Sequence, residues 1–228
     1  MANYKDIHGT QIETVSSDPD NPVNGQVWYN SAEQKLKGFK SNPAGTWSSG
    51  GNLNNARWVG TNGAGTQTAG LVYGGEPRTP GAYTESYDGS SWTEVSDMNS
   101  ERLSGGAGGA ANTSALYCAG SGPAGPGVTN VESWDGSSWT ETTDVNTART
   151  NLSSAHSSNT SGLVFGGTGG TANTETWNGT AWTETGDLNT GRSSIAGNGA
   201  PTAAICMGGA PSLANTEIWD GTSWTEVA

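Results

Sequence analysis

Apolar residues in this chain form short runs separated by polar and glycine-rich stretches, without helical periodicity. Four of the runs, LVYGG, LYCAG, LVFGG and ICMGG, end in a pair of small residues. Other runs, such as YTESYD and SWTEV, are aromatic and β-branched and meet at Asp-Gly or Asn-Gly steps. Those steps accept the positive φ that a tight hairpin turn needs. The pattern therefore predicts short antiparallel strands and no helix.

One octapeptide occurs four times, as YDGSSWTE, WDGSSWTE, WNGTAWTE and WDGTSWTE. Its tryptophans, Trp92, Trp139, Trp182 and Trp224, are separated by 47, 43 and 42 residues. Trp47 lies 45 residues before Trp92 and extends the series by one unit. Four short strands in each of five such units are typical of a β-propeller. We therefore predict an all-β fold, a β-propeller of five blades with four antiparallel strands each.

The predicted propeller is a single domain over residues 1–228. The spacing of the tryptophans places the blades at about 2–49, 50–96, 97–143, 144–186 and 187–228. The first unit lacks both the double glycine and the repeated arginine of the other units. An alternative is therefore a ring of four blades that follows an N-terminal segment.

Residues that recur in every blade are most simply explained as structural. The recurring tryptophans should cover the interfaces between sheets, because each buries a large apolar area. One arginine and one glutamate also recur in each later unit, namely Arg57, Arg102, Arg149 and Arg192 with Glu85, Glu132, Glu175 and Glu217. We predict that these side chains pair within or between blades, since either charge would be costly to bury alone.

The charge balance narrows the range of partners. The net charge is −12, and all four lysines lie within the first 40 residues. Nucleic acids and anionic lipids need basic patches, so neither is an expected partner. No window is apolar enough to insert into a membrane, and MANYKDIHGT lacks the apolar run of a signal peptide. Synthesis in a cytoplasm is expected.

The sequence predicts no catalytic residue, metal site or cofactor. Cys118 and Cys206 lie in apolar runs and should be buried free thiols. His8 and His156 stand alone, without metal-ligand spacing. No nucleophile, base or carboxylate pair stands out from the repeat. The prediction is a protein without enzymatic activity.

A binding site should use residues that break the repeat, on loops at one face of the scaffold. The inserts after the glycine pairs, at 76–82, 121–129, 168–173 and 210–215, differ in length and composition. We expect them to share a face with the Asn-rich turns that precede the repeated arginines. The predicted ligand-binding residues are Arg78 and Thr79 of the first insert and the turn residues Asn54, Asn99, Asn146 and Asn189.

The glycine pair, the later aromatic and Trp, and the Arg of the next unit resemble the kelch repeat. In addition, DPDNPVNGQVWYNSAEQKLKGF followed by GTWSSGGNLNNARW is similar to kelch-like propeller segments of bacteriophage tail-fibre and other virion proteins. The resemblance implies a virion protein that binds a host-surface glycan or protein, or other virion proteins. An alternative is a glycan-cleaving propeller enzyme of the sialidase kind. The match between chain ends and blade boundaries would also fit a piece of a longer fibre protein.

Overall fold

The computed structural model describes residues 12–20, 25–38, 49–58, 63–76, 81–168 and 171–227. Within these ranges the protein is all-β, without an α-helix. The strands form five sheets, one of three strands and four of four strands. The predicted fold class is thereby confirmed, since the sheets match a five-bladed β-propeller in number and strand order. The chain divides into two compact units, Met1–Ser49 and Gly50–Ala228.

The first unit contains sheet 1, which is built from β1 (Glu13–Val15), β2 (Val27–Asn30) and β3 (Lys35–Gly38). Strands β2 and β3 are antiparallel, but β1 pairs with β2 in parallel. For this pair the prediction of antiparallel strands was wrong. Residues 16–26 separate the two strands, and a connection of this length can carry the chain back so that the second strand runs in the same direction as the first. A tight turn would instead force antiparallel pairing. The predicted fourth strand, around Trp47, lies largely outside the described residues.

The carboxylate of Asp18 connects three polar side-chain groups of sheet 1. Its carboxylate accepts hydrogen bonds from the Trp28 indole at 3.0 Å, from Asn30 Nδ2 at 2.9 Å and from Lys37 Nζ at 2.7 Å. These donors, with Lys37 the strongest, lower the pKa of Asp18 to about 2. The carboxylate therefore stays ionised and joins the segment before β2 to both antiparallel strands.

The second unit contains sheets 2 to 5, and each sheet is a meander of four strands in chain order. Sheet 2 comprises β4 (Gly63–Thr66), β5 (Ala69–Tyr73), β6 (Thr84–Tyr87) and β7 (Trp92–Val95). Sheet 3 comprises β8 (Gly106–Ala111), β9 (Ser114–Cys118), β10 (Val131–Trp134) and β11 (Trp139–Thr142). Sheet 4 comprises β12 (Ser153–Ser158), β13 (Ser161–Phe165), β14 (Thr174–Trp177) and β15 (Trp182–Glu184). Sheet 5 comprises β16 (Ala196–Ala200), β17 (Ala203–Met207), β18 (Thr216–Trp219) and β19 (Trp224–Val227).

The first strands of neighbouring sheets pack against one another, β4 on β8, β8 on β12 and β12 on β16. Their small residues make this close approach possible. A Cβ added at Gly106 would lie 3.1 Å from the Cβ of Ser154 in the next sheet. One added at Gly108 would lie 3.3 Å from the imidazole of His156. The glycine-rich composition of these strands therefore follows from the packing of the sheets.

The repeated tryptophans fill the interfaces between sheets, as predicted. Trp139, Trp182 and Trp224 are only 5–6% exposed and lie in three separate core clusters. The Trp139 ring packs on Tyr73 of the preceding sheet, with 4.8 Å between ring centroids. Its indole nitrogen donates to Thr84 Oγ1 of that sheet at 2.9 Å. Trp92 is half-buried, and Trp47 lies outside the described residues.

Each octapeptide forms the predicted hairpin turn between the third and fourth strands of its sheet. In sheet 3 the turn glycine, Gly136, has a φ of 98°. The Asp135 carboxylate accepts hydrogen bonds from the backbone nitrogens of Ser137 at 2.8 Å and Ser138 at 2.9 Å. The turn brings Trp134 opposite Trp139, with ring centroids 5.5 Å apart. The octapeptide thus specifies both a turn and the aromatic pair that it closes.

Candidate functional site

The repeated arginines and glutamates form buried ion pairs, which confirms the predicted pairing. The guanidinium of Arg102 donates from Nη2 to Glu132 Oε1 at 2.7 Å. In each pair the arginine precedes the first strand of a sheet and the glutamate lies on the third strand of the same sheet. The other three pairs have separations of 3.1, 2.6 and 2.6 Å for Arg57–Glu85, Arg149–Glu175 and Arg192–Glu217. All eight side chains are at most 2% exposed.

In sheets 3 to 5 each guanidinium also donates to two backbone carbonyls, one after the second strand and one before the third strand. Arg149 Nη1 donates to the carbonyls of Asn173 at 2.6 Å and Gly166 at 3.2 Å. Burial lowers the pKa of Arg149 below its usual value, and the charge of Glu175 opposes that shift. The two Nη atoms of Arg149 therefore hold its own sheet together, whereas its buried Nε has no hydrogen-bond partner among the described residues.

The predicted ligand-binding asparagines contact the same glutamates. The backbone nitrogen and Nδ2 of Asn99 donate to Glu132 Oε2 at 2.7 and 3.1 Å, and Nδ2 also donates to the Trp139 carbonyl at 3.0 Å. The bonds from backbone and side chain to the glutamate recur at Asn54, Asn146 and Asn189. All four asparagines are exposed residues. Their amide groups have a structural role, and ligand binding by them stays a prediction.

The asparagine turns lie beside the variable inserts of the preceding sheet. Three backbone hydrogen bonds of about the same length connect the two, from Met98 to Ala82 at 3.0 Å, from Val145 to Thr129 at 3.1 Å and from Leu188 to Ala172 at 3.0 Å. Each donor in this series directly precedes one of the predicted asparagines. The structure therefore brings Asn99, Asn146 and Asn189 next to the end of an insert.

The inserts are held by their own hydrogen bonds. In the second insert, Ser121 Oγ donates to the Gly125 carbonyl at 2.7 Å, and the Val128 nitrogen donates to the Gly120 carbonyl at 2.9 Å. In the last insert, the Leu213 nitrogen donates to the Gly209 carbonyl at 2.9 Å and closes a turn that contains a cis Ala210–Pro211 bond. The inserts thus differ in shape as well as in sequence. Arg78 and Thr79 of the first insert lie outside the described residues.

The first strands of sheets 2 to 5 line a cavity of about 510 Å³. Its lining is mostly glycine and alanine, with Leu71, Val72, Trp92, His156 and Asn198 as the larger side chains. His156 is 7% exposed, and its Nδ1 has no hydrogen-bond partner. Its Nε2 lies 3.8 Å from Sγ of Cys118.

Burial governs the chemistry of this cysteine and histidine. It lowers the pKa of His156 to about 4 and raises the pKa of the Cys118 thiol. Both groups are therefore neutral near pH 7, which deprives the thiol of the thiolate form that reacts as a nucleophile. Cys118 and Cys206 are both buried and free, as predicted.

Trp58, whose side chain is 73% exposed, is not among the residues that the sequence predicts to bind a ligand. The sequence feature that could have identified it is a break in the repeat, because Trp58 follows Arg57 where the later units have leucine, threonine or serine. A tryptophan in a chain with ten of them is easily taken for another scaffold residue. The exposure of Trp58 makes it a candidate contact residue beside the first insert.

No family model and no curated protein matches the sequence. Among the described residues, no group of three or more His, Cys, Asp or Glu side chains is arranged to hold a metal ion. The same part of the chain contains no helix with the length and hydropathy required to cross a membrane.

Proposed function

We propose that this protein is a non-enzymatic binding module of the kelch-like type from a bacteriophage tail fibre or another virion protein. It recognises a host-surface glycan or protein through the variable inserts and the asparagine turns beside them. It is made in the host cytoplasm and acts in the virion, where other virion proteins are further partners. The main observation behind the proposal is that the repeated polar side chains bond within the fold, whereas the inserts differ from sheet to sheet.

Repeated structural residues combined with variable loops are typical of scaffolds that present binding loops. Glu132, for example, accepts bonds from Asn99, Ser100 and Arg102, so its carboxylate is saturated inside the sheet. The inserts, by contrast, have exposed residues in positions 123–126 and 211–212. Variation is therefore concentrated in chain segments that the scaffold does not require.

The charge of the chain favours a neutral or cationic partner. A net charge of −12 repels phosphates, anionic lipids and sialic acids at long range. A neutral host glycan is the partner class that best fits this charge.

The alternative, a sialidase-like enzyme, requires several arginines that converge on one substrate carboxylate. The repeated arginines are distributed one to a sheet, and each binds its own glutamate. Freeing one of them would leave a buried carboxylate unpaired, at a cost of about 3–5 kcal/mol. We therefore favour binding without turnover, and hydrolysis of a sialoside by the purified protein would contradict this proposal.

The test is a binding assay of the labelled protein on a glycan array and on a panel of bacterial cells. Arg78→Ala and Thr79→Ala in the first insert should weaken binding. Ser137→Ala is the matched control, since it lies in the hairpin turn at the other end of β10 from the second insert. Loss of binding in the control but not in the insert variants would place the binding site at the hairpin turns instead of the inserts. Absence of binding to any glycan or cell would leave only a structural role.

A further inference from the structure

Two Asn-Gly steps with both residues described differ in how the asparagine side chain is held. Asn178–Gly179 lies in the hairpin turn of sheet 4, whereas Asn198–Gly199 lies in β16, the first strand of sheet 5. Glycine has no side chain to hinder its own backbone nitrogen, so this nitrogen can attack the amide of a preceding asparagine. The surroundings of each amide then decide which asparagine reacts.

In β16 the asparagine side chain is folded onto the next backbone nitrogen. The Gly199 nitrogen donates a hydrogen bond to Asn198 Oδ1 at 2.6 Å. Because Cγ is joined to that oxygen by a C=O bond of about 1.2 Å, it lies about 3 Å from the same nitrogen, which is the separation of reacting atoms poised for attack. The hydrogen bond also polarises the side-chain carbonyl. Asn198 is exposed, so water and hydroxide can reach it.

The amide of Asn178 is held in a different way. Its Oδ1 accepts three hydrogen bonds of 2.9 Å, from the backbone nitrogens of Thr180 and Ala181 and from Thr180 Oγ1. The side-chain carbonyl is therefore directed at nitrogens two and three residues further along the chain. Attack on Cγ would rotate this carbonyl and break those bonds. The hairpin turn thus opposes the reaction that the geometry of β16 favours.

We propose that Asn198 is a site of spontaneous deamidation through a succinimide. The Gly199 nitrogen loses its proton to hydroxide and attacks Cγ of Asn198, so that an N–Cγ bond forms. The Cγ–Nδ2 bond then breaks, and the amide group takes a proton from water and leaves as ammonia. A second water opens the ring at either carbonyl and produces aspartate or isoaspartate. The net reaction consumes one water and releases one ammonia.

The modification would change the chemistry of the cavity between the first strands. By strand register Asn198 is equivalent to Ala64, Gly108 and Ala155, so the scaffold does not require an amide at this position. All four residues line the cavity, and no Asp, Glu, Lys or Arg occurs among the described residues that surround it. Deamidation therefore places a carboxylate in a cavity that otherwise has neutral walls.

Peptide mass spectrometry of the purified protein tests this assignment. The folded protein is incubated at several pH values above neutrality, and the acid form of each asparagine is quantified over time. We expect Asn198 to deamidate at least about tenfold faster than Asn178, because only Asn198 has its carbonyl against the attacking nitrogen. The rate should increase with pH, since that nitrogen must lose its proton. In concentrated urea, where neither side chain is held, the two rates should converge.

Two substitutions serve as matched controls. Asn198→Ala reproduces the residue of sheets 2 and 4, and Asn178→Asp reproduces the turn residue of the other sheets. Accumulation of acidic species on ion-exchange chromatography should be slower for Asn198→Ala but not for Asn178→Asp. Deamidation of Asn178 at least as fast as that of Asn198 in the folded protein would overturn the proposal. An equal ratio of the two rates in folded and unfolded protein would also overturn it, because the sequence alone would then set the rates.

Discussion

At the scale of single residues, each buried glutamate is the centre of a small network. Glu132 accepts from two backbone nitrogens, one amide and one guanidinium, and it is 1% exposed. Neutralising it as Glu132→Gln would leave the Arg102 charge buried without a counter-charge. We expect a loss of about 3–5 kcal/mol in the free energy of unfolding, measured by urea denaturation.

Glu141 provides the matched control for this substitution. It lies opposite Glu132 on the neighbouring strand but is exposed, and it accepts a hydrogen bond from the Asn130 amide at 2.7 Å. Glu141→Gln should change stability by less than about 0.5 kcal/mol. Equal effects of the two substitutions would mean that the buried pair contributes no more than a surface contact.

His156 gives the stability of the protein a distinctive pH dependence. Its pKa is about 4 in the folded protein against 6.5 for an ordinary histidine. Between these values the unfolded chain binds more protons, so stability must fall as the pH decreases from 6.5 to 4. The loss reaches about 3 kcal/mol at the lower end.

The measurement is urea denaturation at several pH values, with His156→Gly as the comparison. Glycine occupies the corresponding inner-strand positions Gly65 and Gly199, so the strand accepts it. The variant should lack the decline between pH 6.5 and 4, although its stability at neutral pH is expected to change. The pKa values of Asp18, Asp88 and Asp220 are lowered from their ordinary value of 3.8, so these residues change the stability of the protein mainly below pH 4. A parallel decline in both proteins would refute the role of His156.

At the scale of secondary-structure elements, the hairpin turn depends on a side chain that accepts from two successive backbone nitrogens. Asn178 does this in sheet 4 with bonds of 2.9 Å, where the other sheets have aspartate. Asp135→Asn should therefore preserve the turn. Asp135→Ala removes the acceptor and should lower the melting temperature of the protein more than Asp135→Asn does. Equal melting temperatures for the two variants would show that Gly136 alone sets the turn.

The same elements show what the sequence could and could not predict. Turn chemistry and recurring Trp, Arg and Glu residues are local or repeated signals, and they predicted the hairpins, the ion pairs and the tryptophan interfaces. The parallel pairing of β1 with β2 has no turn signature, because the two strands are joined by a longer connection. The burial of His156 and the exposure of Trp58 depend on neighbours from distant segments. Single residues outside the repeat therefore had to be placed by the structure.

At the scale of the molecule, the second unit is a series of sheets in which the first strand of each sheet packs on the first strand of the next. Each interface combines a tryptophan core with backbone bonds, such as those from Gly120 to Arg149 at 3.0 Å and from Gly167 to Arg192 at 2.9 Å. In such repeat proteins, stability is approximately the sum of unit and interface contributions. Strong interfaces make neighbouring sheets unfold together. The strength of one interface can therefore be tested through the cooperativity of unfolding.

Trp182 is the residue best placed for this test, because it lies in the interface between sheets 3 and 4, midway through the second unit. It is 6% exposed and packs in a core with Leu116, Cys118 and Val164. Trp182→Ala should lower the free energy of unfolding by about 3–5 kcal/mol through the cavity that it leaves. Trp58→Ala, which removes an exposed indole, should change it by less than about 0.5 kcal/mol. Because the backbone bonds across the interface remain, we expect the Trp182 variant to unfold in one transition, with coincident circular dichroism and fluorescence curves. Two separate transitions would show instead that the tryptophan core alone couples the sheets.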